Sequence, residues 1–197
     1  MTELEVKFPE IDVDAFREKL RLIGAQLASR ERLMKRKLFD FPDRRLDAEH
    51  KWVRLRDEGD TITLAFKSWH GNTIDGTEEI SFTVGGFEEG EQFLLALGLT
   101  EKSYRESKRE SWECDGAQVE IDTWPWIPSF VEIEGPSEEK IKNAADVLGL
   151  TWDKRLFGAA FPVYAHYFDI EYRQFDNNPR TAFGEPVPQW MEEKRRR

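Results

Sequence analysis

Charged side chains occur at every second position in several short segments of the chain. The first is Glu3-Leu-Glu5-Val-Lys7, where three ionisable side chains share one face of a predicted strand. On a strand this spacing is roughly 6–7 Å, at which two carboxylates can share Mg²⁺ or Mn²⁺ ions and the lysine can lie beside a phosphate. An exposed strand with one ion pair shows the same short pattern, so this segment alone does not predict a site.

A second pattern supplies cations. Arg54 and Arg56 alternate in KWVRLRD, Lys67 ends the strand-like segment TITLAFK, and Arg109 shares a strand face with Arg105. Guanidinium groups bind phosphate oxygens through paired hydrogen bonds, and lysine adds a point charge. Arginines on one face repel each other unless an anion or several carboxylates lie between them. A basic stripe on the surface is the alternative interpretation.

A third pattern supplies more carboxylates. Asp122 ends the segment VEID, and Glu132 and Glu134 alternate in FVEIEG. These carboxylates could complete the ligand set of one or two metal ions, although exposed strands would show the same pattern. Glu79, in TEEISFT, is a further carboxylate that could orient an arginine.

The charges of these residues nearly balance. The cations are Lys7, Arg54, Arg56, Lys67 and Arg109, and the carboxylates are Glu3, Glu5, Glu79, Asp122, Glu132 and Glu134. Two divalent metal ions would bring such a set to about +3, which suits a polyanion of about −4. The pattern therefore predicts a site for a metal-bound polyphosphate group.

The elements that must position these residues are mainly strands. Period-two alternation predicts seven or eight of them, and Asp115-Gly116 predicts a hairpin turn. Helices are predicted after the N-cap residue Asp12, near residues 88–98, and after Ser137. The fold class is therefore predicted to be α+β.

Nearly all predicted strands have one apolar and one charged face. In residues 77–84, for example, Ile80 and Phe82 lie opposite Glu79. If the sheet closes into a barrel, the charged faces converge on one lumen. Charged groups buried in a lumen must be paired or must bind something, so the pattern predicts a ligand-binding tunnel.

Composition excludes several classes of protein. The 197 residues carry 29 Lys and Arg against 39 Asp and Glu, and a net charge of −10 argues against a nucleic-acid partner. The longest apolar stretches fall far below the roughly 20 residues that span a membrane. One cysteine, Cys114, and three scattered histidines argue against a thiolate or histidine metal site. We expect a cytoplasmic protein with its domain at residues 1–184 and a charged tail at 185–197.

The ordered series of motifs resembles the CYTH superfamily, the triphosphate tunnel metalloenzymes. It runs from ExExK through WVRLR, TLAFK, Glu79, Arg109 with Trp112, VEID and FVEIEG, and covers most of residues 2–150. The resemblance implies an antiparallel eight-stranded barrel around a tunnel. Two features depart from the family pattern: Ser107 stands where a lysine is common, and LMKRKLFDF is more basic than usual.

The resemblance also implies roles for the residues. Metal binding, with Mg²⁺ or Mn²⁺, is expected of Glu3, Glu5, Asp122, Glu132 and Glu134. Triphosphate binding is expected of Lys7, Arg54, Arg56, Lys67 and Arg109, and direct catalytic roles of Lys7, Glu79 and Asp122.

The expected activity is hydrolysis of a triphosphate, with inorganic tripolyphosphate favoured over ATP and thiamine triphosphate. Two alternatives stay open: a class IV-type adenylyl cyclase that makes cyclic AMP from ATP, and a non-catalytic binder of nucleotides or polyphosphate. A cyclase needs a purine pocket, for which Trp69, Trp124 and Trp126 are candidate stacking residues, although packing roles explain them equally. The chain is expected to act as a monomer or a homodimer.

Overall fold

A computed structural model of the chain describes residues 2–196. The side chains of Thr2 and Glu3 lie outside this description, so the metal-binding role of Glu3 stays a prediction.

As far as residue 147, helices separate single strands or runs of two or three strands. The strands are β1 (Thr2–Glu3), β2 (Glu5–Phe8), β3 (Gln26–Asp40), β4 (Lys51–Asp57), β5 (Ile62–Trp69), β6 (Thr77–Thr83), β7 (Thr100–Cys114), β8 (Ala117–Thr123), β9 (Phe130–Glu134) and β10 (Arg180–Thr181). The helices are α1 (Val13–Leu22), α2 (Arg45–Ala48), α3 (Phe87–Ala96), α4 (Glu138–Val147), α5 (Phe161–Tyr167), α6 (Tyr172–Asp176) and α7 (Gln189–Glu192), with a 3₁₀ turn at Trp152–Lys154.

One antiparallel sheet forms the body of the protein. Its order is β1-β6-β5-β4-β3-β7-β8-β9-β2, and the short β10 pairs in parallel with β7. Because β1 and β2 are consecutive pieces of one N-terminal segment, the path through the sheet begins and ends on the same segment. Counted this way the curled sheet has eight strands, which confirms the predicted α+β fold. No helix among residues 2–196 is long and apolar enough to cross a membrane.

Two apolar layers cover the outside of the sheet. α1 and α4 bury Leu20 and Ile141 against Val6, Val119 and Ile133 of β2, β8 and β9. A smaller cluster joins α3 to β4 through Leu94 and Leu55. Since alternate residues of a strand point to opposite faces, packing the apolar residues outward leaves the charged residues on the inside of the curl.

The C-terminal segment packs at one end of the sheet. Its core joins Phe130 of β9 to Tyr164, Phe168, Phe175 and Met191, and each of these side chains is at most 1% exposed. Met191 of α7 is thus fully buried, although it lies in the segment predicted to be a charged tail.

Candidate active site

A cavity of about 200 Å³ lies inside the curled sheet. Among the described residues, eight cationic and six acidic side chains line it. The cations are Lys7, Arg36, Arg54, Arg56, Lys67, Lys102, Arg105 and Arg109, and the acids are Glu5, Glu79, Asp122, Glu132, Glu134 and Asp176. The structure thus brings together every predicted site residue whose side chain it describes.

Lys7 is held between two carboxylates of neighbouring strands. Its Nζ lies 2.9 Å from Glu5 Oε1 and 2.8 Å from Glu132 Oε2, and the residue is 3% exposed. Burial opposes the charge, but Glu132 and Glu5 outweigh it and raise the pKa of Lys7. Burial likewise opposes the charge of Glu132, yet Arg109 and Lys7 hold its pKa well below the usual range. Lys7 therefore stays protonated at neutral pH.

Arg109 binds Asp122 through a two-pronged contact. Its Nε lies 2.7 Å from Asp122 Oδ1, and its Nη2 lies 2.6 Å from Asp122 Oδ2 and 2.9 Å from Glu132 Oε1. The carboxylates outweigh burial and raise the pKa of Arg109 well above its usual value. Lys7, Arg109, Asp122 and Glu132 thus form a network in which each charge is compensated within the protein.

Glu79 contacts two cations at once. Its Oε1 accepts from Arg54 Nη2 at 3.1 Å, and its Oε2 lies 2.6 Å from Lys67 Nζ. The three side chains come from adjacent strands, since Lys67 of β5 is directly opposite Glu79 of β6 and β4 is the next strand along. One carboxylate orients both cations and compensates about one of their two charges.

The arginines of β3 and β4 are compensated less. Arg56 Nη2 lies 2.5 Å from Glu58 Oε1, yet burial and the neighbouring Arg54 lower the pKa of Arg56 to about 10. Burial, followed by Arg56, Arg54 and Arg109, lowers the pKa of Arg36 well below its usual value.

Four arginines of β3 and β4 also have an unused donor. The Nε atoms of Arg32, Arg36, Arg54 and Arg56 are buried and have no hydrogen-bond partner among the described residues. Buried polar groups are nearly always satisfied, so unpaired donors in a charged cavity indicate an anionic ligand. Phosphate oxygens match guanidinium donors in both charge and geometry.

A second cavity of about 300 Å³ adjoins the first and shares Arg56, Arg109 and Glu134 with it. It continues along the inside of the sheet between β3, β7 and β8. Its further polar lining residues are Ser29, Arg32, Glu58, Ser111, Glu113, Gln118 and Glu120. The two neighbouring charged cavities are together called the tunnel below.

Some of the charged lining residues were not predicted from the sequence. Arg36 and Lys102 were not singled out, Arg105 was placed only on the face of Arg109, and Asp176 lies in a region without clear periodicity. The available signal was that Arg32, Met34, Arg36 and Leu38 occupy every second position of β3, which places both arginines on one face. Among the described residues, the lining of the first cavity carries a net charge of +2, whereas the predicted set, which included Glu3, carries −1.

Residues 1–156 match the family model of the CYTH domain. The chain belongs to the CYTH family. This confirms the resemblance, and the family includes triphosphatases and adenylyl cyclases. No curated protein matches the chain.

Several solved structures share the CYTH fold of this chain. A conserved hypothetical protein from Pyrococcus furiosus is 25% identical, with a TM-score of 0.65, and the match covers 78% of this chain and 94% of that one. A candidate adenylate cyclase from Vibrio parahaemolyticus is 15% identical, with a TM-score of 0.72 and coverages of 84% and 98%. A candidate adenylyl cyclase from Hippeastrum with a dominant triphosphatase activity is 14% identical, with a TM-score of 0.59 and coverages of 84% and 96%.

CYTH proteins are in general metal-dependent, and the donors in this tunnel fit a hard divalent cation. Glu5 and Glu134 are directly opposite each other on β2 and β9, and Glu120 is opposite Glu132 on β8 and β9. Glu120 Oε2 is buried without a hydrogen-bond partner, and burial raises the pKa of Glu120. Among the described residues, however, no three His, Cys, Asp or Glu side chains already converge as a metal site. The fit therefore rests on carboxylate chemistry.

Proposed function

We propose that this CYTH protein binds a triphosphate in its tunnel and hydrolyses it with Mg²⁺ or Mn²⁺, and that inorganic tripolyphosphate is its preferred substrate. The unpaired, buried Nε atoms in the arginine-rich tunnel carry the proposal. A linear polyphosphate supplies acceptor oxygens along its whole length, and its charge relieves the repulsion among the arginines.

Arg54, Arg56 and Lys67, here called the clamp, hold the phosphate chain. Glu79 positions Arg54 and Lys67 and leaves the Nε of Arg54 unpaired. Since these side chains are already packed and oriented, little conformational entropy is lost when the substrate binds. Charge stabilisation by such preorganised groups is the main source of catalysis in phosphoryl transfer.

The carboxylates Glu5, Asp122, Glu132 and Glu134 would hold the metal, together with Glu3. When bound, the ion neutralises phosphate charge and lowers the pKa of an attacking water. Asp122 and Glu132 contact Arg109 in this structure; if they held a metal ion, the donors of Arg109 would be free for phosphate oxygens. Lys7, which stays protonated, contributes a fixed positive charge and does not act as a base.

The candidate purine-stacking tryptophans support hydrolysis over cyclisation. Trp124 lines the cavity, but the Arg36 guanidinium lies over its ring at 4.5 Å. Trp69 packs edge-on against His50, and Trp126 donates to Glu185 O at 2.8 Å. Each ring already has a structural partner.

Release of orthophosphate from tripolyphosphate in the presence of Mg²⁺ or Mn²⁺ tests the proposal. We expect release by the wild type and by Lys108→Gln, a change on the half-exposed outer side of β7, and a large loss in Lys67→Gln. Absence of release by the wild type, or equal rates in the two variants, contradicts the proposal.

A further inference from the structure

Three arginines form a row across neighbouring strands inside the tunnel. Arg36 of β3 lies directly opposite Arg56 of β4 on one side and directly opposite Arg105 of β7 on the other. Side chains at such positions share one face, with Cβ atoms roughly 4.5–5.5 Å apart, and like charges there destabilise the sheet. The clamp includes only Arg56, so the other two arginines need a separate explanation.

Among the side chains that the structure describes, no carboxylate contacts Arg36 directly, and Asp122 acts on it only from a greater distance. Its Nη2 donates to Ser107 Oγ, its Nε is unpaired, and no carboxylate of the described residues forms an ion pair with it. The charges that weigh most on it are those of other arginines, namely Arg56, Arg54 and Arg109.

Arg105 is compensated only in part. It is 7% exposed, and its Nη2 lies 3.6 Å from Asp176 Oδ1, which is too long for a hydrogen bond. Asp176 also binds Lys102, so one carboxylate serves two cations. Both Nε and Nη2 of Arg105 are buried and find no hydrogen-bond partner in the described part of the chain.

Aromatic rings hold both guanidinium groups in place. Arg36 lies over Trp124 and Arg105 lies over Phe175, each 4.5 Å from the ring centroid. Stacking occupies one face of a guanidinium and leaves its N–H edge for acceptors. Since Phe175 belongs to α6, the C-terminal segment completes this end of the tunnel.

We propose that Arg36 and Arg105 form an additional phosphoryl subsite next to the clamp. This subsite holds the terminal phosphoryl group of the bound chain. The proposal rests on the proposed function for the class of ligand. A terminal phosphoryl group carries three acceptor oxygens, enough for the unpaired donors of both arginines. A neutral heterocycle would leave these buried charges without an anion, so any organic substituent lies toward the second cavity.

The ligand could be the end of an inorganic chain or the γ-phosphate of a nucleoside triphosphate, and calorimetric titration separates them. Wild type, Arg36→Gln, Arg105→Gln and the control Arg30→Gln, an exposed arginine of β3, are titrated with pyrophosphate, tripolyphosphate and ATP. We expect both tunnel variants to bind tripolyphosphate at least tenfold more weakly and pyrophosphate less than threefold more weakly. A short chain can move to the remaining cations, whereas a chain that fills the tunnel cannot. Arg30→Gln should match the wild type.

A tenfold loss for ATP as well places its γ-phosphate at the same subsite, and a loss for tripolyphosphate alone assigns the subsite to inorganic chains. Equal losses for pyrophosphate and tripolyphosphate, or no loss, overturn the subsite. If the wild type binds none of the three, the proposed function itself fails.

Stability of the variants provides a second measurement. Because Arg36→Gln relieves repulsion, its melting temperature without phosphate should equal or exceed that of the wild type. If either Gln variant fails to fold, Arg36→Lys and Arg105→Lys decide: they keep the charge but remove the fork of donors, and tripolyphosphate affinity should still fall at least threefold. If the Gln variants do not fold and the Lys variants bind tripolyphosphate as tightly as the wild type, the subsite is overturned.

Discussion

The tunnel cations differ in how far the protein compensates their charge. Lys7 and Arg109 each contact two carboxylates at 3 Å or less, and their pKa values are raised. Arg36 and Arg56 lie among other cations, and their pKa values are lowered. An anionic ligand therefore gains most binding free energy from Arg36 and Arg56, because it relieves an existing repulsion between cations there.

Substitution of the clamp arginines tests this difference. Arg54→Ala and Arg56→Ala should each weaken tripolyphosphate binding by about 1.5–3 kcal/mol, the range for hydrogen bonds to charged groups. Without ligand, Arg56→Ala should not lower the melting temperature, since it removes a repelling charge. If tripolyphosphate raises the melting temperatures of both variants as much as that of the wild type, these arginines do not contact the ligand.

The metal requirement is tested at Glu5. Glu5→Gln should abolish turnover, because an amide is a far weaker ligand for Mg²⁺ or Mn²⁺ than a carboxylate. The fold should survive, because Lys7 keeps its contact with Glu132. Circular dichroism and the rate of orthophosphate release check the two parts. Full wild-type activity in excess EDTA is incompatible with a metal-dependent reaction.

The Lys7–Glu132 contact predicts a pH dependence of stability. The lowered pKa of Glu132 contributes stability above the unfolded value of about 4.3, and this contribution is lost as the pH falls through the lower folded value. The raised pKa of Lys7 contributes below about pH 10.4 and is lost as the pH rises further. Glu132→Gln should therefore lower the melting temperature at pH 7 and approach the wild type as the pH falls below 4.

A melting-temperature series from pH 3 to pH 7 measures this effect. Glu18→Gln, a change at an exposed position of α1, serves as the control and should follow the wild type throughout. A difference between Glu132→Gln and wild type that stays constant over the whole series would exclude a titrating contribution from Glu132.

At the scale of elements, local signals predicted the regular part of the fold. Asp12 and Ser137 cap α1 and α4 as expected, accepting from Ala15 N at 3.0 Å and Lys140 N at 3.2 Å. The apolar face of β6 is not buried as an apolar strand face normally is, because Ile80 is 68% exposed and Phe82 57% exposed. Period-two alternation identifies a strand, but the positions of the helices decide which apolar strand faces are covered. The helices pack mainly on β4, β8 and β9.

The C-terminal elements were not predicted as helices, because α5, α6 and α7 are short and their residues pack by aromatic contacts rather than by helical periodicity. Their packing predicts the effect of Met191→Ala. Met191 is fully buried, so the change should cost about 2–5 kcal/mol in free energy of unfolding.

Chemical denaturation measures that cost, with Leu22→Ala, at a position 86% exposed, as the control for loss of a large apolar side chain. Equal stabilities of the two variants would show that α7 does not belong to the core of the domain.

At the scale of the whole molecule, the closed path of the sheet creates the site. Residues from β2 to β9 lie on one lumen because the N-terminal segment pairs with β6 at one end and β9 at the other. Alternation alone predicted that charged faces converge. It did not show that β3 places Arg36 between Arg56 and Arg105, because strand order and register depend on contacts between distant parts of the chain.

The protein as a whole carries a net charge of −10, yet the described residues that line the first cavity carry a net charge of +2. This separation favours a small, highly charged anion that can enter the tunnel. A ligand that binds the folded state alone stabilises it by about 2.7 kcal/mol at a hundredfold excess over its Kd. Tripolyphosphate should therefore raise the melting temperature in a concentration-dependent way, and sulfate at equal ionic strength should raise it much less.

Phosphorus NMR of the reaction products tests the central claim most directly. The protein is incubated with Mg²⁺ or Mn²⁺ and either tripolyphosphate or ATP, and every phosphorus-containing product is identified. Hydrolysis in the tunnel predicts orthophosphate and pyrophosphate in equal amounts from tripolyphosphate. Pyrophosphate and cyclic AMP from ATP, with tripolyphosphate left intact, would contradict the account and identify a cyclase, and tight binding of both without turnover would identify a binder.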